Sequence, residues 1–466
     1  MKVDSSIFKA YDIRGIFGTD ITPELAYVIG RAYARVILPV PKKIAVGRDV
    51  RTHGEVLLSA LIKGLQDEGV SVTSLGVIST DMLYFAVAKY GFGGGITVSA
   101  SHNPQEYNGF KMVRKDAIPV SGDTGIKEIQ KEVELLLDKG VAIPSDLNTA
   151  EPDDVLSNLT DAYIQELMEI VPIDASKATR RYTFAFNANH GRAGEVVKEL
   201  IRKNNLPIDI VPLYMEVNGL FPQGRPDPMY KENRDSFAEV IVNSNAEIGV
   251  AWDADADRCF FFDHEGNCVD GYHTTALLSD MVLTECKEDN VCIVHDPRLV
   301  WAVTNVADKH NARALQNKVG HSYIKERMRK ENAIFGGENS GHYYFKDFYY
   351  ADNGMIPFML LFKRLLADNV SLKDLVQPFR DAYPISGEIN LTVTDIDRAL
   401  DAVRVFYHDA EYETVDGISI AYPEWRANIR ASNTEPILRV NLEAKTSELV
   451  SKKTAELIRV LEPYCR

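Results

Sequence analysis

Three aspartates spaced two residues apart are the first group of side chains that could do chemistry. Asp253, Asp255 and Asp257 follow an apolar run, and an extended loop can turn all three carboxylates toward one cation. Mg²⁺ suits such a set, because it binds few carboxylates and shares its remaining positions with phosphate oxygens or water. A calcium loop of the EF-hand type needs glycine at position six and glutamate at position twelve, where this chain has Arg258 and His264. A solvated acidic turn is the remaining alternative.

A serine at the end of an apolar run is the second such feature. Residues 97–112 read T-V-S-A-S-H-N-P-Q-E-Y-N-G-F-K-M, and residues 93–98 are typical of a buried strand entered through a flexible turn. Ser101 then lies where the strand ends, and open α/β sheets bind ligands outside the carboxyl ends of their strands. Taken alone, S-H-N-P is more typical of an ordinary turn.

Two further loops combine hydrogen-bonding side chains with small residues. Residues 336–342 read G-G-E-N-S-G-H, and residues 430–436 read R-A-S-N-T-E-P between two strand-like runs. In the second loop an arginine can bind a phosphate as a bidentate fork, with several small donors around it. Taken alone, the first loop is more often a glycine-rich turn, and the second fits a capped turn equally well.

Together these motifs resemble the α-D-phosphohexomutase family along the full length of the chain, one motif in each of four regions and in the family's order. The serine segment resembles the loop whose serine carries a phosphate. D-A-D-A-D-R at 253–258 resembles the metal loop D-G-D-x-D-R, with alanine in the spacers, which allows the backbone less freedom than glycine. G-E-N-S-G-H resembles the sugar-binding loop, and R-A-S-N-T-E-P resembles the loop that holds the substrate's nonreacting phosphate.

The resemblance implies a phosphorylated serine beside a metal ion. By this resemblance, Ser101 is expected to carry the phosphoryl group. The implied ligands of Mg²⁺ are Ser101, Asp253, Asp255 and Asp257. Transfer of a phosphoryl group requires its charge to be neutralised, and the resemblance gives this role to the metal and Arg258.

Substrate contacts are implied in several regions. Glu338 and Ser340 are expected to hydrogen-bond two sugar hydroxyls. The full set of implied substrate-binding residues is Tyr11, His321, Glu338, Ser340, Arg430, Ser432, Asn433 and Thr434. Some relatives carry a substrate-contacting lysine near the segment Asp296-Pro297-Arg298; this chain has none at Pro297, and Arg298 is a candidate substitute.

One step needs a base for the attacking sugar hydroxyl and later an acid. The resemblance points to Arg14, in Y-D-I-R-G, to Lys111, in N-G-F-K, and to His342, without a choice among the three.

The elements that must position these loops follow from hydrophobic periodicity. Strands and helices alternate through the first three regions with crossovers long enough for parallel pairing, and strands that end in polar loops recur as a weak internal repeat. After about residue 374 the pattern becomes typical of an α+β module. The predicted fold class is therefore α/β, with three related α/β domains of mixed sheets. The resemblance implies that the C-terminal α+β domain is similar to the TATA-binding protein.

Four domains are expected, and a polar stretch at 146–154 marks the first boundary. The predicted domains are 1–150 with the phosphoserine loop, 151–265 with the metal-binding loop, 266–373 with the sugar-binding loop, and 374–466 with the phosphate-binding loop. Thr22 is predicted to cap a helix that begins at Pro23. Residues 259–263 and 268–272 are predicted to pair as a hairpin.

Composition restricts the classes of partner. The 466 residues are 45% hydrophobic and 26% charged, as in ordinary globular proteins. No apolar run approaches the roughly 20 residues that span a bilayer, and the N-terminus lacks an apolar signal core, so we expect no membrane and a cytoplasmic location. The net charge of −15 disfavours nonspecific binding of nucleic acid. Five cysteines without a C-x-x-C pair argue against a zinc site or a disulfide framework.

The resemblance implies a phosphomannomutase that interconverts mannose 6-phosphate and mannose 1-phosphate through a phosphoserine and a hexose 1,6-bisphosphate, which also serves as activator. Its partners are small hexose phosphates, with no obligate protein partner. A dual-specificity phosphomannomutase/phosphoglucomutase, or mainly a phosphoglucomutase, is the alternative, since mannose and glucose differ only at C2. Remoter alternatives are a phosphoglucosamine mutase, whose usual G-T-D-G-I-R-G segment is absent, a metal-dependent sugar-phosphate hydrolase and a catalytically silent relative.

Overall fold

The structure, a computed structural model, is described here for residues 3–39, 42–147, 150–431 and 437–465. It forms two compact units, one of residues 1–268 with 342–369 and one of residues 269–341 with 370–466. None of the helices in these ranges has the length and apolar character needed to cross a bilayer.

The first region of the chain folds into a mixed six-stranded sheet. Its elements are β1 (Ile13–Ile16), α1 (Pro23–Val36), β2 (Lys43–Arg48), α2 (Gly54–Gln66), β3 (Ser71–Val77), α3 (Thr80–Lys89), β4 (Gly94–Val98), β5 (Tyr107–Arg114), α4 (Lys127–Asp138) and β6 (Asp154–Val155). The strand order is β1-β5-β4-β2-β3-β6. Strands β4, β2, β3 and β6 are parallel, whereas β5 is antiparallel to both β4 and β1. The serine segment therefore connects a parallel strand to an antiparallel one.

Helices α1 and α2 pack closely against each other beside this sheet. The predicted start of α1 is confirmed: the Thr22 hydroxyl accepts a hydrogen bond from the Leu25 amide, and Pro23 is the first helical residue. The apolar residues of both helices join one buried core with the sheet. A glycine permits the close approach, because a Cβ atom on Gly64 would lie 2.0 Å from the carbonyl oxygen of Tyr27.

The second sheet repeats the arrangement of the first. Its region contains α5 (Leu159–Ile170), β7 (Tyr182–Asn187), α6 (Ala193–Lys203), β8 (Ile208–Leu213), α7 (Lys231–Ser244), β9 (Ile248–Trp252) and β10 (Cys259–Asp263). The order β10-β9-β7-β8 matches β5-β4-β2-β3, again with three parallel strands and one antiparallel strand. The aspartate loop connects β9 to β10, as the serine loop connects β4 to β5. The weak repeat in the sequence thus reflects equivalent connections.

The third region contributes to both units. Its elements are α8 (Gly271–Glu285), β11 (Cys292–His295), α9 (Trp301–Lys309), β12 (Arg313–Gln316), α10 (His321–Glu331), β13 (Phe335–Gly337), β14 (Tyr343–Phe345), β15 (Ala351–Asp352), α11 (Met355–Asp368) and α12 (Leu372–Ala382). In the second unit β12, β11 and β13 are parallel and lie in that order. In the first unit β14 pairs with β15, and α11 packs on the second sheet, where the rings of Phe358 and Phe184 are 5.8 Å apart.

The predicted hairpin at 259–263 and 268–272 is wrong in its second half. Strand β10 forms as predicted, but beyond it only an isolated bridge joins Phe262 to Cys268. Helix α8 begins at Gly271, because the Asp270 carboxylate accepts a hydrogen bond from the Tyr272 amide and caps the helix. The apolar residues of 268–272 also suit a strand, and the cap at Asp270 favours the start of a helix there.

The C-terminal region is an antiparallel sheet with helices on one face. Its elements are β16 (Ile389–Thr392), α13 (Ile396–Phe406), β17 (Glu411–Glu413), β18 (Ile418–Tyr422), β19 (Trp425–Ala431), β20 (Ile437–Ala444) and α14 (Ser447–Leu461). The order is β16-β20-β19-β18-β17, and all neighbouring pairs are antiparallel. Helices α13 and α14 share one buried core with the strands, and Thr446 caps α14 as predicted. The predicted fold class is confirmed, and the domain boundaries stay a prediction.

Replacing Gly64 with alanine should destabilise the first region, because the added methyl group would overlap the backbone at Tyr27. Such overpacking costs about 1 to 3 kcal/mol of unfolding free energy. Thermal and urea unfolding would measure the loss. Lys63→Ala, a change at the adjacent surface position, is the control and should cost no more than about 0.5 kcal/mol. Equal stability of Gly64→Ala and the parent protein would contradict the close packing of α1 against α2 at Gly64.

Candidate active site

Ser101 lies buried just beyond the end of β4 and faces the aspartate loop. Its hydroxyl donates a hydrogen bond of 3.1 Å to Asp253 Oδ2 and lies 3.2 Å from Nδ1 of His102. Burial, together with the positive charge of Arg258, holds the pKa of His102 well below its usual value. The backbone at Ser101 is left-handed, with φ of 50°, a conformation that is uncommon outside glycine. The structure thus joins two loops about 150 residues apart in sequence.

The three aspartates converge as the sequence predicts, and all three are buried. Oxygen atoms of Asp253, Asp255 and Asp257 lie within 4.8 Å of one another. The two alanine spacers differ in backbone conformation. Ala254 has a negative φ, whereas Ala256 has a left-handed φ of 56°. Alanine is disfavoured in that region by roughly 1–2 kcal/mol, so the second spacer carries backbone strain.

Lys111, on β5, balances part of the aspartates' charge. Its ammonium group donates to Asp255 Oδ2 at 2.6 Å and to Asp257 Oδ2 at 2.5 Å. Burial is the largest influence on the lysine and favours its neutral form, but the two carboxylates outweigh it and raise the pKa of Lys111 above its usual value. Burial would also raise the pKa of Asp255, yet Lys111 holds it below the usual range. Burial, with the charges of Asp257 and Asp255, raises the pKa of Asp253.

The donor set fits a small divalent cation. Oδ1 of Asp255 and Oδ1 of Asp257 are buried and have no hydrogen-bond partner among the residues that the structure describes. Unsatisfied buried carboxylate oxygens are costly, and a hard cation takes oxygen ligands of this kind. A single lysine does not neutralise three carboxylates. We infer that Asp253, Asp255 and Asp257 could hold the metal.

Arg258 and His342 meet on one side of this cluster. Arg258 Nε donates to Nε2 of His342 at 3.0 Å and lies 3.7 Å from Asp253 Oδ2. Because Nε2 accepts this hydrogen bond, the ring proton belongs on Nδ1, which lies 3.1 Å from Asp352 Oδ2 and 3.8 Å from Asp257 Oδ1. The buried Asp352 carboxylate thus lies beside the nitrogen that carries the ring proton.

Arg14 reaches the serine segment from β1. Its NH1 group donates to Asn103 Oδ1 at 2.7 Å, and its NH2 group forms an ion pair with Asp12. Tyr11 lies just before β1 and is half-buried. Neither strand β1 nor strand β5 was expected from periodicity, yet they carry Arg14 and Lys111 to the edge of the sheet where Ser101 lies.

The second unit holds the residues predicted to bind sugar. Glu338 is buried at the end of β13 and accepts a hydrogen bond of 2.8 Å from the Gly320 amide. His321 begins α10 directly after Gly320, so the structure brings His321 and Glu338 close together. Ser340 is half-buried in the same loop. The Asn339 amide donates to Asp296 Oδ2 at 2.8 Å.

The second unit also holds a cluster of arginines. Arg430 on β19 lies opposite Arg439 on β20, and the Nε atoms of both lack a hydrogen-bond partner within the described part of the chain. Burial lowers the pKa of Arg430, and the positive charge of Arg298 acts in the same direction. Arg298 itself donates to both oxygens of Asp296. Like charges opposite each other in a sheet are unfavourable unless an anion compensates them. Ser432, Asn433 and Thr434 lie outside the described residues.

Family models match the chain in four consecutive segments, each described as part of phosphoglucomutase/phosphomannomutase. The matches are alpha/beta/alpha domain I at 5–137, domain II at 161–266, domain III at 270–383 and the C-terminal domain at 388–460.

Similar proteins span the whole chain. A phosphomannomutase of Escherichia coli is 41% identical over 461 residues, covering 98% of this chain and 99% of its own. The chain belongs to the α-D-phosphohexomutase family. A phosphomannomutase of Vibrio cholerae is 40% identical over 465 residues and covers 98% of each chain. The predicted phosphohexomutase family and the predicted enzyme class, an isomerase of carbohydrate metabolism, are confirmed.

Solved structures agree with the fold of this phosphohexomutase. A phosphoglucomutase/phosphomannomutase family protein of Burkholderia thailandensis superimposes with a TM-score of 0.83 at 28% identity, covering 99% of this chain and 98% of its own. Parafusin, a phosphoglucomutase of Paramecium, gives a TM-score of 0.75 at 15% identity, covering 94% of this chain and 91% of its own, which bears on the fold alone.

Several residues of this phosphohexomutase were missed by sequence reasoning. Arg51 is wholly buried and donates to the serine segment, Thr80 donates to Asp255 Oδ2 at 2.6 Å, and Arg439 lies opposite Arg430. Arg439 gave no signal, because it alternates with the buried residues Leu438 and Val440, as an outward position of a strand does. Arg51 and Thr80 had none, because their partners lie 50 and 175 residues away.

Removing the cation of Lys111 should make the folded enzyme depend on a divalent metal. We expect Lys111→Met to lose about 3 to 5 kcal/mol of stability in chelator at pH 8, because Asp255 and Asp257 then lose the cation that contacts them directly. Millimolar Mg²⁺ should restore most of that loss. Thermal unfolding with EDTA and with Mg²⁺ measures both states. Lys89→Met, which removes a more exposed lysine paired with Glu166, is the control. A loss that is the same with and without the metal would contradict this account.

A buried carboxyl group near the site should make stability depend on pH. Asp81 accepts hydrogen bonds from the Ser79 hydroxyl, the Tyr163 hydroxyl and the Met82 amide, and burial raises its pKa to about 7 despite these donors. The folded state therefore keeps a proton that the unfolded chain loses near pH 4, so this contribution to stability is lost as pH rises through about 7.

Asp81→Asn should remove that contribution. The melting temperature of the variant minus that of the parent is expected to increase between pH 5 and pH 8, measured by thermal unfolding in constant ionic strength. Exposed Asp138→Asn serves as the control and should give a flat difference. A flat difference for Asp81→Asn as well would mean that Asp81 is ionised in the folded state throughout this range.

Proposed function

We propose that this phosphohexomutase interconverts mannose 6-phosphate and mannose 1-phosphate through a phosphorylated Ser101. The observation that carries the proposal is the 3.1 Å contact between the buried Ser101 hydroxyl and Asp253, within a cluster of three carboxylates. The phosphomannomutases of Escherichia coli and Vibrio cholerae, about 40% identical along the chain, support mannose phosphates as substrates.

In the first half-reaction, a hydroxyl oxygen of the hexose phosphate attacks the phosphorus atom of phospho-Ser101. The bond between phosphorus and the serine oxygen breaks, and a hexose 1,6-bisphosphate forms. After this intermediate reorients, the serine oxygen attacks its other phosphate, and the isomeric hexose monophosphate leaves. Added hexose 1,6-bisphosphate would phosphorylate Ser101 in the same way and so act as an activator.

The attacking hydroxyl must lose a proton, and His342 is the base that we propose. Its Nε2 atom has a lone pair, which accepts the Arg258 hydrogen bond, and Asp352 lies beside its Nδ1 atom. Lys111 is less suited to this role, because Asp255 and Asp257 keep it protonated. In the second half-reaction the proton returns from His342 to the oxygen that leaves phosphorus.

Positive charge must balance the phosphoryl group during transfer. Mg²⁺ held by Ser101, Asp253, Asp255 and Asp257 would supply a Lewis acid at the phosphate oxygens. Arg258 adds a guanidinium beside Asp253, and burial, the largest influence on it, is outweighed by Asp253 and Asp257, so its pKa is raised.

The second unit supplies the residues proposed for the sugar and the far phosphate. Glu338, Ser340 and His321 would contact the hexose. Arg430 with Ser432, Asn433 and Thr434 would hold the nonreacting phosphate, and the unpartnered Nε of Arg430 supports an anion there. Tyr11 and Arg14 would border the serine segment. The four domains at 1–150, 151–265, 266–373 and 374–466 and a cytoplasmic location belong to the same proposal.

Ser101→Ala should lower mutase activity by roughly 1,000-fold or more, because the covalent route is lost with its nucleophile. The assay converts mannose 1-phosphate in the presence of glucose 1,6-bisphosphate, and mass spectrometry follows phosphate on the serine. Ser59→Ala is the control and should keep full activity, because the Ser59 hydroxyl, on α2, hydrogen-bonds to the backbone of Ala150 and not to any proposed site residue. Full turnover by Ser101→Ala would disprove the phosphoserine mechanism.

Parallel assays with glucose 1-phosphate decide between a phosphomannomutase and a dual-specificity enzyme. Comparable kcat/KM values for the two sugars would favour dual specificity, and a clear preference for glucose would make the enzyme mainly a phosphoglucomutase. Release of inorganic phosphate without isomerisation would favour the hydrolase. Absence of any conversion by protein phosphorylated at Ser101 would refute the proposed function.

A further inference from the structure

Among the residues that the structure describes, Arg51 is the largest charged side chain that is fully buried, and all of its side-chain donors form hydrogen bonds. An arginine has five N–H groups in a planar fork. Nη2 donates one hydrogen bond to the Ser101 carbonyl at 2.9 Å and one to the Asn103 carbonyl at 2.6 Å. Nη1 donates to the carbonyls of Pro104 at 2.7 Å and Gln105 at 3.4 Å. Nε donates to Asp49 Oδ2 at 3.2 Å.

Four of these five hydrogen bonds are accepted by backbone carbonyls of the serine segment, between residues 101 and 105. Carbonyl groups that all point at one guanidinium fix the orientation of the peptide planes between Ser101 and Gln105. The left-handed φ of Ser101 is a conformation that a serine does not prefer, and such strain persists only where surrounding contacts hold it. Arg51 supplies contacts of that kind.

The guanidinium is itself held in place from its other sides. Asp49 also accepts a hydrogen bond of 2.9 Å from the Arg51 amide, and the Asp49 amide donates to the Val98 carbonyl at the end of β4. The ring of Phe221 lies 5.0 Å from the guanidinium carbon. Burial, the largest influence, lowers the pKa of Arg51, and Asp49 opposes that effect. Arg51 is therefore oriented before any ligand arrives.

We propose that Arg51 is a positioning residue that sets the backbone of the serine segment and thereby the direction of the phosphoryl group on Ser101. This inference rests on the proposed function of Ser101. Arg51 touches no reacting atom, since its contacts on the segment are backbone carbonyls. Its contribution is therefore to the geometry of transfer, and misplacing a reacting group by about 1 Å can cost 100-fold in rate.

Lysine cannot replace arginine in this role. An ammonium group offers three donors from one point, whereas the four carbonyls are spread around a planar fork. Arg51→Lys keeps the charge and most of the volume but leaves at least one buried carbonyl unsatisfied. The serine segment should then relax away from its strained conformation.

The test compares Arg51→Lys with Arg31→Lys in the whole 466-residue chain. Arg31 is a matched control, because it also pairs with a carboxylate, Glu68, and lies over an aromatic ring, Tyr27. Steady-state kinetics with mannose 1-phosphate gives kcat and KM. Hydrogen exchange followed by mass spectrometry reports on peptides that cover residues 101–105, whether or not the protein is an active mutase.

We expect Arg51→Lys to lower kcat about 100-fold, to change KM less than about threefold, and to speed exchange in the serine segment. Arg31→Lys should match the parent protein in all three measurements. Unchanged kcat, a rise in KM alone, or a loss of activity that only follows the unfolded fraction in thermal melts would each overturn the proposal. Unchanged exchange at 101–105 would overturn it as well.

Asp49→Asn decides the question if Arg51→Lys does not fold. This isosteric change weakens the anchor of the guanidinium while all donors to the serine segment remain. We expect a smaller fall in kcat, about three- to tenfold, with KM unchanged. A parent protein without mutase activity would refute the proposed function, while hydrogen exchange would still show whether Arg51 holds the segment.

Discussion

The burial of three carboxylates at one point is the constraint on which the rest of the site depends. Like charges this close, removed from water, repel strongly unless cations lie among them. Lys111 contacts two of the aspartates, and Arg258 lies beside the third. Even so, two carboxylate oxygens remain without a hydrogen-bond partner among the described residues. The protein alone therefore leaves a deficit of positive charge, which is the condition for binding a divalent cation.

The fold places cations beside these carboxylates by using the same strand-to-strand connection in two sheets. In the first two sheets a parallel strand ends in a polar loop that leads into an antiparallel neighbour, β4 into β5 and β9 into β10. The first connection carries Ser101 and, on β5, Lys111; the second carries the aspartates. Because strands end at the same edge of a sheet, each loop lies where its sheet can present a ligand site. Two such loops facing each other bring together the proposed nucleophile, the candidate metal ligands and a counter-charge.

Sequence reasoning predicted most of the fold and the core of the site, for a physical reason. The serine and aspartate loops are short motifs at strand ends, and parallel strands with crossover helices have strong periodic signals. Strands β1 and β5 were missed because antiparallel strands that contain glycine and polar residues lack such a signal. The segment 268–272 was predicted as a strand, because its apolar residues suit either structure and the cap at Asp270 decides for the helix.

Arg51 shows where prediction from one sequence stops. The run D-V-R-T-H at 49–53 follows a strand, as turn residues do, and nothing in it indicates that the arginine is buried. Its role depends on backbone carbonyls 50 residues later, which no pattern of side chains encodes. Residues that hold a strained backbone are invisible in the sequence for this reason, because their partners are main-chain atoms that every sequence has.

The serine loop and the aspartate loop each contain a residue in the left-handed backbone conformation. Ser101 and Ala256 both have positive φ, and each costs roughly 1 to 2 kcal/mol relative to the preferred conformations. Ser101 is held by Arg51, whereas Ala256 lies between Asp255 and Asp257, which Lys111 ties down. In both loops, then, a buried cation holds the backbone in a conformation that it would not choose, and the same conformation turns the reactive side chains toward one another. At the aspartate loop the same cation both balances charge and holds the strained backbone, since loss of Lys111 would release both.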